Sequence, residues 1–172
     1  MSLRISEAPL TALAEYATIP IAFEVRSVLE LDGTERALDA PYPKDYGAPT
    51  PFDGAKWGLL LAHMDEQLVG GALIACDTPS VTMLEGRSDL AVLWDIRITP
   101  QSRGRGIGAA LFRTVEQWAI ARHCTELKIE TQNTNVPACR FYARQGCVLR
   151  AMHAGVYAEL PHEIQMLWYK TL

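Results

Sequence analysis

The chain has 172 residues, 49% of them hydrophobic and 21% charged, which suits one globular domain, expected to span residues 1–172, and excludes disordered or collagen-like chains. Sixteen Lys and Arg against 20 Asp and Glu leave a net charge of −4, opposite to the basic surface a nucleic-acid binder needs, so no nucleic-acid partner is expected. No stretch reaches the roughly 18 uninterrupted apolar residues of a membrane span, and Glu7, Pro9 and Glu15 stand where a signal peptide would be apolar, so a cytoplasmic protein without a membrane partner is expected.

Phe23, Val25, Leu29 and Leu31 alternate with Glu24, Arg26 and Glu30, which predicts a half-buried strand over 22–31, turned at Asp32-Gly33. From Asp39 to Lys56, Pro41, Pro43, Pro49 and Pro51 with Gly47 and Gly54 exclude a helix or central strand and predict an ordered loop. Trp57 to Met64 and Leu68 to Cys76, separated by Asp65-Glu66-Gln67, read as a hairpin, with Gly70-Gly71 marking a bulge or a close backbone approach. Leu90 to Ile98 is apolar except for Asp95 and Arg97 and predicts a strand covered on both faces.

Pro100 ends that strand, and Ile107, Ala110, Leu111, Val115, Trp118 and Ala119 predict an amphipathic helix reaching His123. Another strand is expected over Glu126 to Thr131. A short helix should follow, capped by Asn135, with Pro137 in its first turn and Gly146 past its end. Strands near 148–157 and 164–169 close the chain, giving a single mixed α/β sheet. Cys76, Cys124, Cys139 and Cys147 contain no CxxC pair, and His63, His123, His153 and His162 are scattered. Buried, reduced thiols and no metal site are therefore expected.

The strongest chemical signal is Gln101-Ser102-Arg103-Gly104-Arg105-Gly106-Ile107-Gly108, lying between a buried strand and a long helix. A helix start presents unpaired N–H groups and a positive dipole end, glycines let an anion reach the backbone, and arginines add charge, which together suit a pyrophosphate. A P-loop is excluded because no Gly-Lys-Ser/Thr follows. Gly104, Gly106 and Ala109 formally match a dinucleotide fingerprint, with Glu130 as ribose ligand. However, residues 99–103 intervene between strand and glycines, and the upstream half is hairpins.

Gln101-x-x-Gly104-x-Gly106 resembles the first signature of the GNAT superfamily of acetyl-CoA-dependent N-acetyltransferases, and Asn135-x-x-Ala138-x-x-x-Tyr142-x-x-x-Gly146 is similar to its second, with Cys147 where most members carry Phe. Phe23-Glu24-Val25-Arg26-Ser27, Trp94 to Ile98, Leu127 to Asn133, Ala138 to Tyr142 and Leu167 to Lys170 further resemble the streptothricin acetyltransferases within it. The resemblance implies a GNAT fold of the α/β (α+β) class: a mixed, mostly antiparallel central sheet flanked by helices, with splayed central parallel strands. It also implies acetyl-CoA as cosubstrate, no metal, a small-molecule amine acceptor of the streptothricin type, and allowance for a homodimer.

By the same resemblance, Gln101, Arg103, Gly104, Arg105, Gly106, Ile107, Gly108 and Ala109 would cradle the pyrophosphate. Ile96 and Ile98 would offer backbone groups to the pantetheine and thioester, and Asn135, Ala138 and Tyr142 would complete the coenzyme site. Tyr142 is the candidate general acid, since a phenol can protonate a leaving thiolate. Asp95 and Glu130, carboxylates in apolar strands, are both candidate bases, with pairing to Arg97 and Lys128 as the structural alternative. Glu85, Asp89, Tyr157 and Glu159 are candidate contacts for a cationic acceptor. A polyamine or peptide amine, or a non-catalytic acyl-CoA-binding module, are the alternatives.

Overall fold

Leu3–Ala8 forms β1, and a short helix α1 (Leu13–Tyr16) follows. The computed structural model describes residues 2–49 and 56–172. Two units emerge: Met1–Ile21, Gly47–Leu127 and Thr171–Leu172 make the first, and Ala22–Tyr46 with Lys128–Lys170 make the second.

In the second unit Phe23–Leu29 is β2 and Glu35–Lys44 is β3, paired antiparallel in a two-stranded sheet of their own rather than within one single sheet. The strand at 39–44 corrects the expected proline-rich loop. A two-stranded sheet has only edges, where the missing N–H groups of Pro41 and Pro43 need no partner. Pro51 and Gly54 lie outside the described residues. Leu31, expected to face inward, is 59% exposed, because β2 ends at Leu29 and Leu31 stands in the turn that follows; within the strand, a bulge between Val25 and Ser27 shifts the alternation so that Val28 is buried. The turn at Asp32-Gly33 forms as expected, with Asp32 Oδ1 accepting hydrogen bonds from the Thr34 N–H and hydroxyl.

In the first unit Trp57–Met64 (β4), Gln67–Cys76 (β5) and Leu90–Ile98 (β6) extend β1 into an antiparallel order β1-β4-β5-β6. Asp65 and Glu66, both at positive φ, close the predicted hairpin. A side chain at Gly70 would stand 2.8 Å from the Arg97 carbonyl, which is the close approach the paired glycines predict. A second bulge leaves Trp94 unpaired, between Ile74↔Leu93 and Leu73↔Asp95. Leu90 to Leu93 are buried, but Trp94 is 42% exposed, so only the first half of β6 is covered on both faces.

The helix α2 (Ile107–Ile120) buries Ile107, Leu111, Phe112, Val115, Trp118 and Ala119, and a left-handed His123 ends the turn after it. Period-two alternation sorts the faces of β4. Gly58 abuts the Trp118 ring, whereas Leu59 and Leu61 pack with Tyr16, Ile19 and Leu73. The Trp118 indole donates to Glu7 Oε1 at 2.8 Å, a core role as expected.

Glu126–Gln132 (β7) is followed by α3 (Val136–Arg144), whose first-turn Ala138 N–H is capped by Asn135 Oδ1 at 3.2 Å. Gly146, at φ +83, ends α3 as predicted. Val148–Ala154 (β8) stops three residues before the expected Tyr157, where Gly155 turns the chain at φ +73. It pairs antiparallel with β9 (Ile164–Thr171) in the order β7-β9-β8. Among the described residues no helix is long and apolar enough to cross a membrane.

Candidate active site

The glycine-rich turn leads directly from β6 into α2. Pro100–Ser102 makes a 3₁₀ turn with Ser102 buried and Gln101 exposed, and residues 103–106 are exposed. Gly104 and Gly106 take φ +74 and +80, and no protein atom lies within 4 Å of where either would carry a Cβ. Gly106 caps α2 without a side-chain hydrogen bond, and the first turn holds no acidic residue. Two uncrowded glycines thus stand at the start of a 14-residue helix, at the positive end of its dipole, an arrangement that fits a coenzyme pyrophosphate. Arg103 is fixed at the rim, its Nε donating to the Ile98 carbonyl at 3.2 Å.

Asp95 and Arg97 share one face of β6, as their spacing predicts. Arg97 Nε donates to Asp95 Oδ2 at 2.7 Å, and its two remaining nitrogens donate to the carbonyls of Ile19 (3.2 Å) and Gly47 (2.9 Å). Its guanidinium carbon lies 5.4 Å from the centre of the Tyr16 ring. Burial raises the Asp95 carboxyl above the usual range, while Arg97 opposes the rise. Burial and the charge of Asp95 push the Tyr16 phenol well up. Asp95 is therefore committed to a pair that fastens two loops to β6, the structural alternative the sequence left open.

Glu130 makes a different set of contacts from the Lys128 pairing considered above. The Tyr157 hydroxyl donates to Glu130 Oε1 at 2.5 Å and Gln165 Nε2 donates to Oε2 at 2.9 Å. Gln132 Nε2 donates to the Tyr157 oxygen at 3.1 Å, and Tyr46 donates to Gln132 Oε1 at 2.6 Å. Burial and hydrogen bonding to Glu130 raise the Tyr157 phenol, and burial raises Tyr46, so both hydroxyls remain protonated donors. Tyr157 joins Glu130 through the segment between β8 and β9, 27 positions away. Tyr46 and Gln165 escaped the sequence reading because nothing in their spacing points to Glu130.

Val136, Cys139 and Tyr142 form the buried face of α3, with Tyr142 5% exposed and edge-on to Phe141. Asn135 spends Oδ1 on its own helix cap. Glu85 closes a 3₁₀ turn at φ +56, and Glu159 is exposed.

Asp89 is gripped by Arg87, with Nε and Nη2 on its two oxygens at 2.9 Å each, while Arg87 Nη1 reaches Glu126 at 2.9 Å. The guanidinium, helped by Thr125, lowers Asp89 to about 2. A carboxyl depressed in the folded state adds stability above its unfolded value of about 3.9, and that contribution is lost as pH falls through the folded value. Replacing Arg87 with Met should return Asp89 toward about 4, read by carboxyl NMR titration. A value still near 2 would assign the depression elsewhere.

All four cysteines are buried and unbridged. Burial pushes Cys139 up and Cys124 to about 11, which suits packing rather than nucleophilic attack. Among the described residues no group of His, Cys, Asp and Glu is placed to hold a metal ion.

Residues 30–147 match the acetyltransferase (GNAT) family. Streptothricin acetyltransferase from Escherichia coli is 29% identical over 158 residues, covering 86% of this chain and 84% of that protein. The crystal structure of a provisionally designated streptothricin acetyltransferase from Bacillus anthracis str. Ames, in complex with acetyl coenzyme A, superposes with a TM-score of 0.83 at 25% identity, over 100% of this chain and 99% of that one. That of nourseothricin acetyltransferase shares the fold, with a TM-score of 0.79 at 20% identity over 99% of each chain. With its glycine turn at a helix start and a family match over more than half its length, the chain belongs to the GNAT acetyltransferases, has their α/β fold, and is an acetyl-CoA-dependent N-acetyltransferase.

Proposed function

We propose that the acceptor is a primary amine of a streptothricin-type antibiotic, which would make the protein a cytoplasmic resistance enzyme. The observation that carries this reading is end-to-end similarity to streptothricin acetyltransferases, 86% of the chain in one case and all of it in another. Residues 103–109 hold the pyrophosphate, with Gln101 at the edge of the turn. Asn135 and Ala138 complete the coenzyme site, and the backbone at Ile96 and Ile98 serves the pantetheine and thioester.

The amine nitrogen attacks the thioester carbonyl, a C–N bond forms, and the C–S bond breaks as the electron pair leaves on sulfur. The nitrogen gives up a proton to Glu130, directly or through water, and the Tyr142 phenol protonates the leaving thiolate. Glu130 is preferred to Asp95 because Arg97 already neutralises Asp95. Tyr157 orients the Glu130 carboxylate from beside it, and Tyr157, Glu159, Glu85 and Asp89 are the contacts proposed for a cationic acceptor.

Tyr142→Phe tests the acid role. It should lower kcat by about 100-fold while leaving the KM for acetyl-CoA within about twofold, the effect of losing one positioned proton donor. Unchanged turnover removes Tyr142 from the reaction.

A further inference from the structure

Glu130 stands on β7, and Gln132, two residues along, shares its face. β9 lies between β7 and β8, and Gln165 on β9 is the register partner of His153 on β8. Around the half-buried Glu130 carboxylate these side chains form two arms. On one, the Tyr157 hydroxyl donates to Oε1 and accepts from Gln132 Nε2, while Gln132 Oε1 accepts from the Tyr46 hydroxyl. On the other, Gln165 Nε2 donates to Oε2 at 2.9 Å, and Gln165 Oε1 lies 3.0 Å from His153 Nδ1. All these residues belong to the second unit.

An ionised carboxylate only accepts, and that sets the direction of every bond around it. Tyr157 has one hydroxyl hydrogen, which goes to Oε1. Its oxygen must then accept, which calls for the NH2 of Gln132 and turns the Gln132 oxygen toward the Tyr46 hydroxyl. Gln165 must likewise present its NH2 to Oε2, which leaves its oxygen for a His153 ring that carries a proton on Nδ1. The raised phenols of Tyr157 and Tyr46 keep both hydroxyl hydrogens in place.

We infer that Gln165 and Gln132 are positioning residues that fix the plane of the Glu130 carboxylate and present it to the acceptor amine, Gln165 directly and Gln132 through Tyr157. One donor on each oxygen holds the carboxylate against rotation about its last bond, which a single contact would allow. Each oxygen keeps a second lone pair for the N–H of the amine. Both donors are neutral, an amide and a phenol, so they add no positive charge of the kind Arg97 sets against Asp95. The inference rests on Glu130 as the base of the proposed reaction.

The test measures acetyl-CoA-dependent thiol release by the full chain and by Gln165→Met, Gln165→Leu, Gln132→Leu and Glu130→Gln, together with each glutamine change in the Glu130→Gln background. Streptothricin, spermidine and a peptide amine are each offered as acceptor, so the outcome does not hang on the acceptor's identity. Positioning predicts that either change at Gln165 lowers kcat by about 30-fold and that Gln132→Leu, one contact further out, lowers it by about fivefold, with the KM for acetyl-CoA within about twofold. Glu130→Gln should itself lower kcat by about 100-fold, and in that background the glutamine changes should cost no more than about twofold further, because they act through the carboxylate.

A merely structural role would lower kcat by the same factor in both backgrounds. That result, or unchanged kcat in both Gln165 variants, would overturn the inference and leave Glu130 as the base. Unchanged kcat in Glu130→Gln would instead overturn the base, and the positioning role with it.

Discussion

Arg97→Leu should destabilise the protein by about 3–5 kcal/mol, the usual cost of removing one partner from a buried ion pair. The side chains of Arg97 and Asp95 are 3% and 11% exposed, so water cannot replace the lost guanidinium. The carbonyls of Ile19 and Gly47 lose their donor at the same time. In a chain of this length the melting temperature should fall by roughly 10 °C.

The deficit should depend on pH. Without Arg97 the raised Asp95 value rises further, so the folded state favours the protonated carboxyl more than the unfolded state does. That preference is fully met below the unfolded value of about 3.9 and becomes a penalty as pH climbs past it. The variant should therefore come nearer to wild type in acid, and adding Asp95→Asn should recover part of the loss at neutral pH. Calorimetry at several pH values reads this directly. A loss of under about 1 kcal/mol would mean that Arg97 is not the fastener of the two loops.

Gly106→Val should cost about 30-fold in acetyl-CoA affinity, equivalent to the roughly 2 kcal/mol a partly buried anion gains at a helix start. Among the described residues no atom outside the flanking chain lies within 4 Å of the new Cβ, so the main cost to the fold is that of holding a branched residue at positive φ, about 1–3 kcal/mol. Gly33→Val is the matching control. Gly33 has φ +83 with equally open surroundings, in a turn remote in sequence from the coenzyme signature, and it should cost similar stability with no change in acetyl-CoA binding. Equal affinities for the two variants would remove the turn from the coenzyme site.

Local chemistry was what the sequence made legible. Asn135, Pro137 and Gly146 bound a helix because each acts on its own backbone, and Asp65-Glu66-Gln67 marks a hairpin by the same local logic. The glycines of 104–106 could be read for the same reason. The two-residue period of a strand put Asp95 and Arg97 on one face and so made their pairing one of the two readings of Asp95.

What escaped depended on partners distant in sequence. β1 is a short strand whose pairing with β4 spans more than 50 positions. β3 was hidden because its prolines speak against a strand until the sheet is known to have only two members. The bulge at Val25/Ser27 moved the buried positions off the simple alternation, and β2 ends at Leu29, which leaves Leu31 in the exposed turn. Glu163 gave no signal because Lys44, its partner, lies 119 positions upstream. The Glu130 cluster is assembled almost wholly from such contacts, whereas the glycine-rich turn is contiguous.

Acetyl-CoA-dependent thiol release by the wild-type protein, measured with streptothricin, spermidine and a peptide amine and followed by mass spectrometry of the products, tests the central claim most directly. The account predicts efficient release with streptothricin, a single added acetyl group on it, and little turnover of the other two. Turnover of spermidine or the peptide with none of streptothricin would contradict it.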